Sequence, residues 1–290
     1  MTTMADIALL TGRTMPREVP ENGLLVAELA RLGLTVEIHP WDEPLDWGRY
    51  GLAVVRTTWD YWARREEFTA WAERTAKLTT LRNPVEVLLW NSHKGYLVEL
   101  AAAGVPVLPT RLVPRGASDA ERARVLGAFG AGEVVLKPAV SAGARGALRS
   151  FADDRAAAAH LAELTGHGDA LVQPFAESVL ARGETSLIHF NGTFSHAVRK
   201  VPAAGEYRIH LHHGGSVQPH TPDAAELAVA AAALAAAPAA TSYARVDLVQ
   251  LPDGPAVMEL ELIEPELFLA ADPEAAGRYA GVLADLLGRG

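Results

Sequence analysis

Residues 243–264 constrain the fold most, because they predict two antiparallel strands joined by the Pro-Asp-Gly-Pro turn at 252–255. In the second strand Glu259 and Glu261 alternate with apolar residues, so both carboxylates lie on one face. If the connection holds an odd number of residues, Asp247 lies across from Glu259 or Glu261, with Cα atoms roughly 5 Å apart. Three such carboxylates repel one another unless positive charge lies among them, and Mg²⁺ suits oxygen ligands. A solvated hairpin face is the alternative.

Length and composition narrow the class of protein. The 290 residues, 49% of them hydrophobic, suit two or three packed subdomains. A net charge of −9 argues against a nucleic-acid surface. The absence of cysteine excludes disulfides and thiolate metal sites and is compatible with a cytoplasmic protein. We see no signal peptide and no uninterrupted apolar run of membrane-spanning length, so we expect no membrane partner.

Residues 1–90 predict an N-terminal α/β domain on the substrate side of the molecule. Predicted strands and helices alternate, in the order strand 7–11, helix 22–32, strands 36–39 and 52–57, and helix 64–77. This alternation implies a parallel sheet, and ligands of such sheets bind beyond the carboxyl ends of the strands. We therefore expect a substrate edge at Thr57, Thr58, Trp59 and Asp60. Simple packing is the alternative for Trp59.

Residues 91–172 form a second region, which contains a candidate phosphate-binding loop. The segment Asn-Ser-His-Lys at 91–94 opens a predicted helix, and a predicted strand at 134–138 carries Lys137. The strand precedes the small-residue loop 141–147, whose backbone N–H groups can close on phosphate oxygens while the ammonium group supplies charge. The loop is not a Walker loop, because the lysine precedes the glycines. An ordinary flexible surface loop remains the alternative.

Residues 173–290 predict a C-terminal lobe with the metal site. Asn191-Gly192 predicts a tight turn between strands 185–190 and 193–201. With a two-residue loop, Glu184 faces Arg199, while Lys200 points to the other side of the hairpin. Lys200 and Arg208 flank a short loop and can hold a carboxylate or a phosphate, although surface exposure explains them equally well.

In their order along the chain these segments resemble the ATP-grasp superfamily, and most closely its glutathione synthetase-like branch. Two motifs support that branch, Lys-Val-Pro-Ala-Ala-Gly-Glu-Tyr-Arg at 200–208 and Val-Met-Glu-Leu-Glu-Leu-Ile-Glu-Pro at 257–265. Within the branch the sequence is similar to the O-ureido-serine cyclo-ligases of cycloserine biosynthesis and their relatives. The motifs that carry this similarity are Thr-Trp-Asp-Tyr at 58–61, Asn-Ser-His-Lys at 91–94 and Ser-His-Ala-Val-Arg-Lys at 195–200.

The resemblance implies an ATP-grasp fold of the α/β class, with an N-terminal parallel α/β unit and two α+β lobes that clasp ATP. It implies that ATP is bound by Lys94, Lys137, the lid residues Ser141, Gly143 and Gly146, the adenine segment Gln173-Pro174-Phe175, and Glu184 at the ribose. It also implies a metal site for two Mg²⁺ ions, formed by Asp247, Glu259 and Glu261.

The same resemblance implies catalytic and substrate residues. The catalytic groups at the γ-phosphate and the acyl phosphate are Lys200, Arg208 and Lys137, and further substrate residues are Arg245 and Glu264. The sequence departs from the family pattern at Glu261, where the branch usually has Asn, and at Ser186, where many members have Arg. The lid also has fewer glycines than usual.

These implications predict an ATP- and Mg²⁺-dependent carboxylate–amine ligase that forms ADP and acts through an acyl phosphate on a small amino-acid-like substrate. Intramolecular cyclisation is favoured over a dipeptide-type ligation. A non-catalytic nucleotide-binding module and a kinase remain alternatives of other classes. Whether the protein is a homodimer stays open.

Overall fold

The computed structural model describes residues 5–13, 19–203 and 215–289, which form three sheets. The first sheet is parallel, with the spatial order β2-β1-β3-β4. Its strands are β1 (Ile7–Thr11), β2 (Val36–Pro40), β3 (Leu52–Thr57) and β4 (Thr80–Arg82), and its helices are α1 (Pro20–Arg31) and α2 (Arg65–Thr75). Every residue of β1 and β3 is buried, which is why both segments are so apolar in sequence. The predicted parallel unit is confirmed.

The second sheet is antiparallel, with the order β5-β8-β6-β7. Its strands are β5 (Arg111–Val113), β6 (Glu133–Pro138), β7 (Leu148–Phe151) and β8 (Ala170–Pro174). Helices α5 (Asp119–Gly127) and α6 (Arg155–His167) pack on this sheet and contribute to a core of its own. A capping box, in which Ser118 and Glu121 satisfy each other's backbone N–H groups, starts α5.

Two helices, α3 (Val85–Asn91) and α4 (Tyr96–Ala102), link the first two sheets. The helix predicted after the segment 91–94 is confirmed as α4, and within that segment Asn91 ends α3 while residues 92–95 form the turn between the two helices. The side chain of Asn91 donates to Leu260 O at 2.7 Å and accepts from Leu262 N at 2.9 Å. These hydrogen bonds fix the start of the turn against β13 and the residue that follows it.

The third sheet is antiparallel, with the order β11-β10-β9-β12-β13. Its strands are β9 (Glu184–Phe190), β10 (Thr193–Val201), β11 (Ser216–His220), β12 (Tyr243–Leu251) and β13 (Gly254–Glu261), and the helices of this part of the chain are α7 (Ser178–Arg182), α8 (Ala224–Ala235) and α9 (Ala275–Leu286). Both predicted hairpins are confirmed.

A bulge in β10 corrects the predicted register of the first hairpin. Thr193 pairs with Phe190 as expected, but Ser195 is an extra residue in β10, and beyond it the pairing shifts by one. Lys200 consequently lies opposite Glu184, so the prediction that Arg199 faces Glu184 is wrong.

A second bulge determines the register of β12 and β13. Leu251 pairs with Gly254 around a two-residue loop, and Met258 is the extra residue of β13. The sequence placed Asp247 opposite Glu259 or Glu261 only if an odd number of residues joined the strands. The loop has two residues, but the extra residue in β13 has the same effect on the register, and Asp247 lies opposite Glu259.

The first and third sheets share one hydrophobic core. Helix α9 packs against α1, and the ring of Tyr279 stacks on Phe190 of β9 with a centroid distance of 4.8 Å. The fully buried Asn83 side chain joins the two units, because it donates to Tyr243 O at 2.9 Å and Leu262 O at 2.8 Å and accepts from Ser242 N at 2.7 Å.

Candidate active site

Lys94 and Lys137 come from separate segments, and both lower the pKa of the same carboxylate, that of Glu259. The backbone N–H of Lys94 donates to Ala139 O at 2.8 Å, which fixes the turn after α3 against the end of β6. The Lys94 ammonium group forms an ion pair with Glu259. Burial alone would raise the pKa of Glu259, but Lys94 and Lys137 outweigh it and lower that pKa to about 2. Burial lowers the pKa of Lys137, and in the described residues its ammonium group has no hydrogen bond or ion pair.

Lys200 bridges two carboxylates in the hairpin next to this site. Its Nζ lies 2.5 Å from Glu184 and 3.3 Å from Asp247, and all three side chains are at least nine-tenths buried. Burial raises the pKa of Glu184 to about 7 in spite of Lys200, because Asp247 adds negative charge beside it. Glu184 therefore depends on Lys200 for neutralisation, whereas Asp247 also pairs with Arg245.

Asp247, Glu259 and Glu261 lie on one face of β12 and β13, as the alternation predicted. Arg245 pairs across the strands with Glu261 and also donates to Asp247 at 2.9–3.2 Å. Ser186 of β9 donates to Asp247 at 2.5 Å. Ser186 and Arg245, on neighbouring strands, thus both donate to the Asp247 carboxylate.

The carboxylates of this face are engaged with basic side chains rather than with one another. In the described part of the chain, no group of three or more His, Cys, Asp or Glu side chains has an arrangement suited to a metal ion. Burial nevertheless raises the pKa of Glu261 to about 7, and Asp247 and Glu259 add to that rise against Arg245. The oxygen donors of the three carboxylates are of the type that Mg²⁺ prefers.

The lid loop contains backbone geometry that glycine permits. Gly143 and Gly146 have φ of 64° and 70°, and the hydroxyl of Ser141 donates to Pro138 O at 3.3 Å. The guanidinium of Arg145 lies 5.2 Å from the centre of the Trp62 ring, so the lid reaches the N-terminal domain.

The segment predicted to read adenine lies at the end of β8. The side chain of Gln173 donates to Thr110 Oγ1 at 2.9 Å, and the backbone N–H of Phe175 donates to Glu133 O at 2.9 Å. Arg149 stacks on the Phe175 ring at 3.6 Å, and Pro174 closes the strand. These contacts hold the segment beside the strand that carries Lys137.

The predicted substrate edge is tightly bonded within the protein. The hydroxyl of Thr57 donates to Thr11 Oγ1 at 3.0 Å, and the hydroxyl of Thr58 is buried without a hydrogen bond in the described residues. Trp59 donates to Glu264 O at 2.9 Å, and Asp60 accepts from Trp41 at 3.0 Å. Asp60 also pairs with Arg64 at 3.1 Å, so its carboxylate has structural partners.

The structure thus brings most of the predicted residues into one region. Arg208 lies outside the described residues. After β13 the sequence singled out Glu264 but not Glu266, and it did not indicate the cross-domain role of Asn83. The sequence Glu-Pro-Glu at 264–266, shortly after the Glu-x-Glu strand, was a signal that could have indicated Glu266.

This arrangement is that of an ATP-grasp ligase, an enzyme that uses ATP to form a bond between carbon and nitrogen. It combines a parallel domain, two antiparallel sheets and a cluster of cations and acids. Residues 7–83 match the family described as D-cycloserine synthetase DcsG, N-terminal domain, and residues 110–239 match prokaryotic glutathione synthetase, ATP-grasp domain. The expected superfamily, branch and fold are confirmed.

The chain belongs to the family of the cycloserine biosynthesis protein DcsG. It is 37% identical to that protein of Streptomyces lavendulae, over 98% of this chain and 99% of the relative. The crystal structure of D-cycloserine synthetase DcsG superposes with a TM-score of 0.88 at 35% identity, covering 97% of this chain and 99% of that one.

Two more distant structures share the fold alone. The RimK domain ATP-grasp protein of Sphaerobacter thermophilus has a TM-score of 0.69 at 19% identity, covering 97% of this chain and 99% of its own. The D-alanine–D-alanine ligase of Bacillus anthracis has a TM-score of 0.72 at 12% identity, covering 98% of both chains. Separately, none of the helices in the described residues is long and apolar enough to cross a membrane.

Proposed function

We propose that this ligase activates the carboxylate of a small amino-acid-like substrate as an acyl phosphate and closes a ring within the same molecule, as in cycloserine formation. The observation that carries the proposal is the convergence of Lys94, Lys137 and Lys200 with the acids of β12 and β13 around one region. The similarity to DcsG over nearly the whole chain supports the cyclisation.

The cations suit phosphoryl transfer. A carboxylate oxygen of the substrate attacks the γ-phosphorus, and the bond to the β,γ-bridging oxygen breaks as ADP leaves. Negative charge on the transferred group must be neutralised, and little other chemistry is required of the protein. Lys137, with no partner in the described residues, is placed to contact phosphate oxygens, and Lys94 and Lys200 can exchange their acids for phosphate.

Asp247, Glu259 and Glu261 would hold two Mg²⁺ ions, which supply positive charge at the phosphate oxygens when bound. Holding them requires that Lys94 release Glu259 and that Arg245 release Glu261. The same two cations then become available to the anionic substrates. Binding of the nucleotide thus exchanges one set of ion pairs for another within the same cluster.

In the second step the substrate nitrogen bonded to the side-chain oxygen, and not the α-amino group, forms a bond to the carbonyl carbon. The carbon–oxygen bond to phosphate breaks, phosphate leaves with the electron pair, and the nitrogen loses a proton to it. A nitrogen in the same molecule benefits from its high effective concentration. The lid loop 141–147, resting on Trp62 through Arg145, excludes the water that would otherwise hydrolyse the acyl phosphate.

The test is turnover of O-ureido-serine with ATP and Mg²⁺, followed by mass spectrometry of the products. We expect ADP, phosphate and a cyclic product in equal amounts, formed only when the substrate is present. The variants Glu259→Gln and Asp247→Asn should lose turnover while the melting temperature shows that they remain folded. AMP and pyrophosphate as products would refute the proposal, as would a phosphorylated product or nucleotide binding without turnover. A linear dipeptide would refute the cyclisation alone.

A further inference from the structure

The turn 92–95 between α3 and α4 is anchored on the side of the molecule that holds the acids. Arg65 of α2 donates to the Ser92 hydroxyl at 2.8 Å, which joins the turn to the parallel domain. On either side of the turn, Asn91 and Tyr96 bond to the backbone at the end of β13, where the Tyr96 hydroxyl accepts a backbone N–H at 3.0 Å. The backbone of the turn is therefore fixed relative to the carboxylates of that strand.

A second set of contacts joins the turn to the second sheet through Asp169, the residue directly before β8. Lys94 N donates to Ala139 O at 2.8 Å, and Ala139 N donates to Asp169 O at 2.8 Å. Ala139 follows β6, the strand that carries Lys137. The carboxylate of Asp169 closes this set of contacts, because its Oδ2 lies 3.3 Å from Nε2 of His93 in the turn. A short path therefore connects the segments of Lys94 and Lys137, and His93 contributes a side-chain link to it.

The ring of His93 has a defined tautomer and a defined position. Gly95 N donates to Nδ1 at 3.1 Å, so Nδ1 accepts and Nε2 carries the proton that faces Asp169. Burial lowers the pKa of His93 against the attraction of Asp169, so the ring is uncharged near neutral pH. A Cβ atom at Gly95 would lie 2.8 Å from Nδ1, and any larger residue there would displace the ring. The imidazole is therefore preorganised to hold Asp169.

We propose that His93 is a positioning residue for Lys94, whose contact with Asp169 sets the distance between Lys94 and Lys137 so that both ammonium groups reach the phosphates of one nucleotide. This inference rests on the proposed function, which places the two lysines at the phosphates. Besides burial, the charge of Lys94 lowers the pKa of Lys137, so the two ammonium groups lie close enough to repel each other. When a nucleotide replaces Glu259 as the partner of Lys94, a rigid link between the two segments keeps the cations together.

The affinity for a non-hydrolysable ATP analogue with Mg²⁺, measured by calorimetry, tests the inference without turnover. His93→Ala should weaken binding roughly 5- to 20-fold, the range expected when one hydrogen bond to a charged group is misaligned. In a Lys94→Met background the same substitution should change the affinity less than about twofold, because His93 acts through Lys94. Gly95→Ala, which displaces the ring without removing it, should reproduce the loss in the unmodified protein and add little to His93→Ala.

Two further variants separate the two contacts of the ring. His93→Gln offers an amide N–H at the ε position, toward Asp169, whereas His93→Asn offers an acceptor only at the δ position, toward Gly95. We expect Gln to recover most of the affinity and Asn little. The control variant is His167→Ala, which removes an exposed histidine at the end of α6 and should bind the analogue as the unmodified protein does. Melting temperatures show that each variant is folded, and His93→Gln and Gly95→Ala carry the comparison if His93→Ala is not.

An equal loss from His93→Ala with and without Lys94 would show a general structural role and overturn the inference. So would better recovery with Asn than with Gln, unchanged affinity in His93→Ala or in Lys94→Met, or an unmodified protein that does not bind the analogue. Failure of the proposed function is seen separately, as a protein that shows the expected coupling between His93 and Lys94 but forms no ADP with any substrate.

Discussion

Replacing Lys200 by Met tests whether the buried Glu184 of β9, with Asp247 of β12 beside it, depends on the Lys200 cation. The ammonium group of Lys200 neutralises Glu184 at 2.5 Å and Asp247 at 3.3 Å, and all three groups are buried. Removing one partner of a buried ion pair costs roughly 3–5 kcal/mol, because the remaining charge is left without compensation. Asp247 retains Arg245, so most of this loss arises at Glu184.

The loss of stability should depend on pH in a defined direction. The pKa of Glu184 is about 7 in the folded protein, against 4.5 for a glutamate side chain exposed to water. As pH rises, the unfolded chain therefore loses this proton before the folded protein does. The free energy of unfolding consequently falls as pH rises through that interval. Lys200 lowers the pKa of Glu184, and without it the folded pKa rises further. The free energy of unfolding of Lys200→Met should therefore fall further below that of the unmodified protein as pH increases from about 6 to about 8.5.

Chemical denaturation at both pH values measures this difference. At about 2 °C per kcal/mol for a chain of this length, the melting temperature should fall by roughly 6–10 °C at the higher pH. The double variant Lys200→Met/Glu184→Gln should recover most of the loss, since no acid is then left unpaired. A pH-independent loss, or no recovery in the double variant, would contradict the electrostatic account. Turnover should fall about 100- to 1,000-fold in both variants, because the cation at the phosphate is missing.

Two further predictions concern contacts between domains. Asn83→Ala should lower the free energy of unfolding by several kcal/mol. Each buried backbone carbonyl left unpaired, at Tyr243 and Leu262, costs roughly 1–3 kcal/mol. A loss below about 1 kcal/mol in chemical denaturation would contradict this prediction. Arg145→Ala removes the contact of the lid with Trp62, worth about 0.5–1 kcal/mol, and should raise the ratio of ADP to cyclic product roughly two- to fivefold, with partial rescue in Arg145→Lys. An unchanged ratio would show that the contact does not seal the lid.

Much of the fold could be predicted from the sequence because its signals are local. The strands at 7–11 and 52–57 are buried throughout, so each begins with four apolar residues in a row, and only their last residues are polar. The turns at 191–192 and 252–253 were also identified correctly from residue type. The order of lysines and acids along the chain was enough to indicate the superfamily.

The errors came from features without a local signal. The extra residues Ser195 and Met258 each shift a register by one, and no residue type in either strand announces a bulge. The hydrogen bonds of Asn91 to the backbone at Leu260 and Leu262 are tertiary contacts that no neighbouring residue indicates. The donors to the backbone carbonyls of residues 264–267 come from residues 56–59, His196 and Arg245, which are far apart in sequence, so only folding shows that they converge.

The core shared by the first and third sheets has a mechanical consequence. Side chains of α1, α9 and β9 pack together in that core, so we expect the parallel domain and the lobe with β12 and β13 to move as one rigid unit. The central sheet has a separate core and contributes only Ala139 and Leu171 to the apolar cluster behind the third sheet. We therefore expect nucleotide entry to involve movement of the central lobe, which carries Lys137 and the loop 141–147, relative to the acids of β12 and β13.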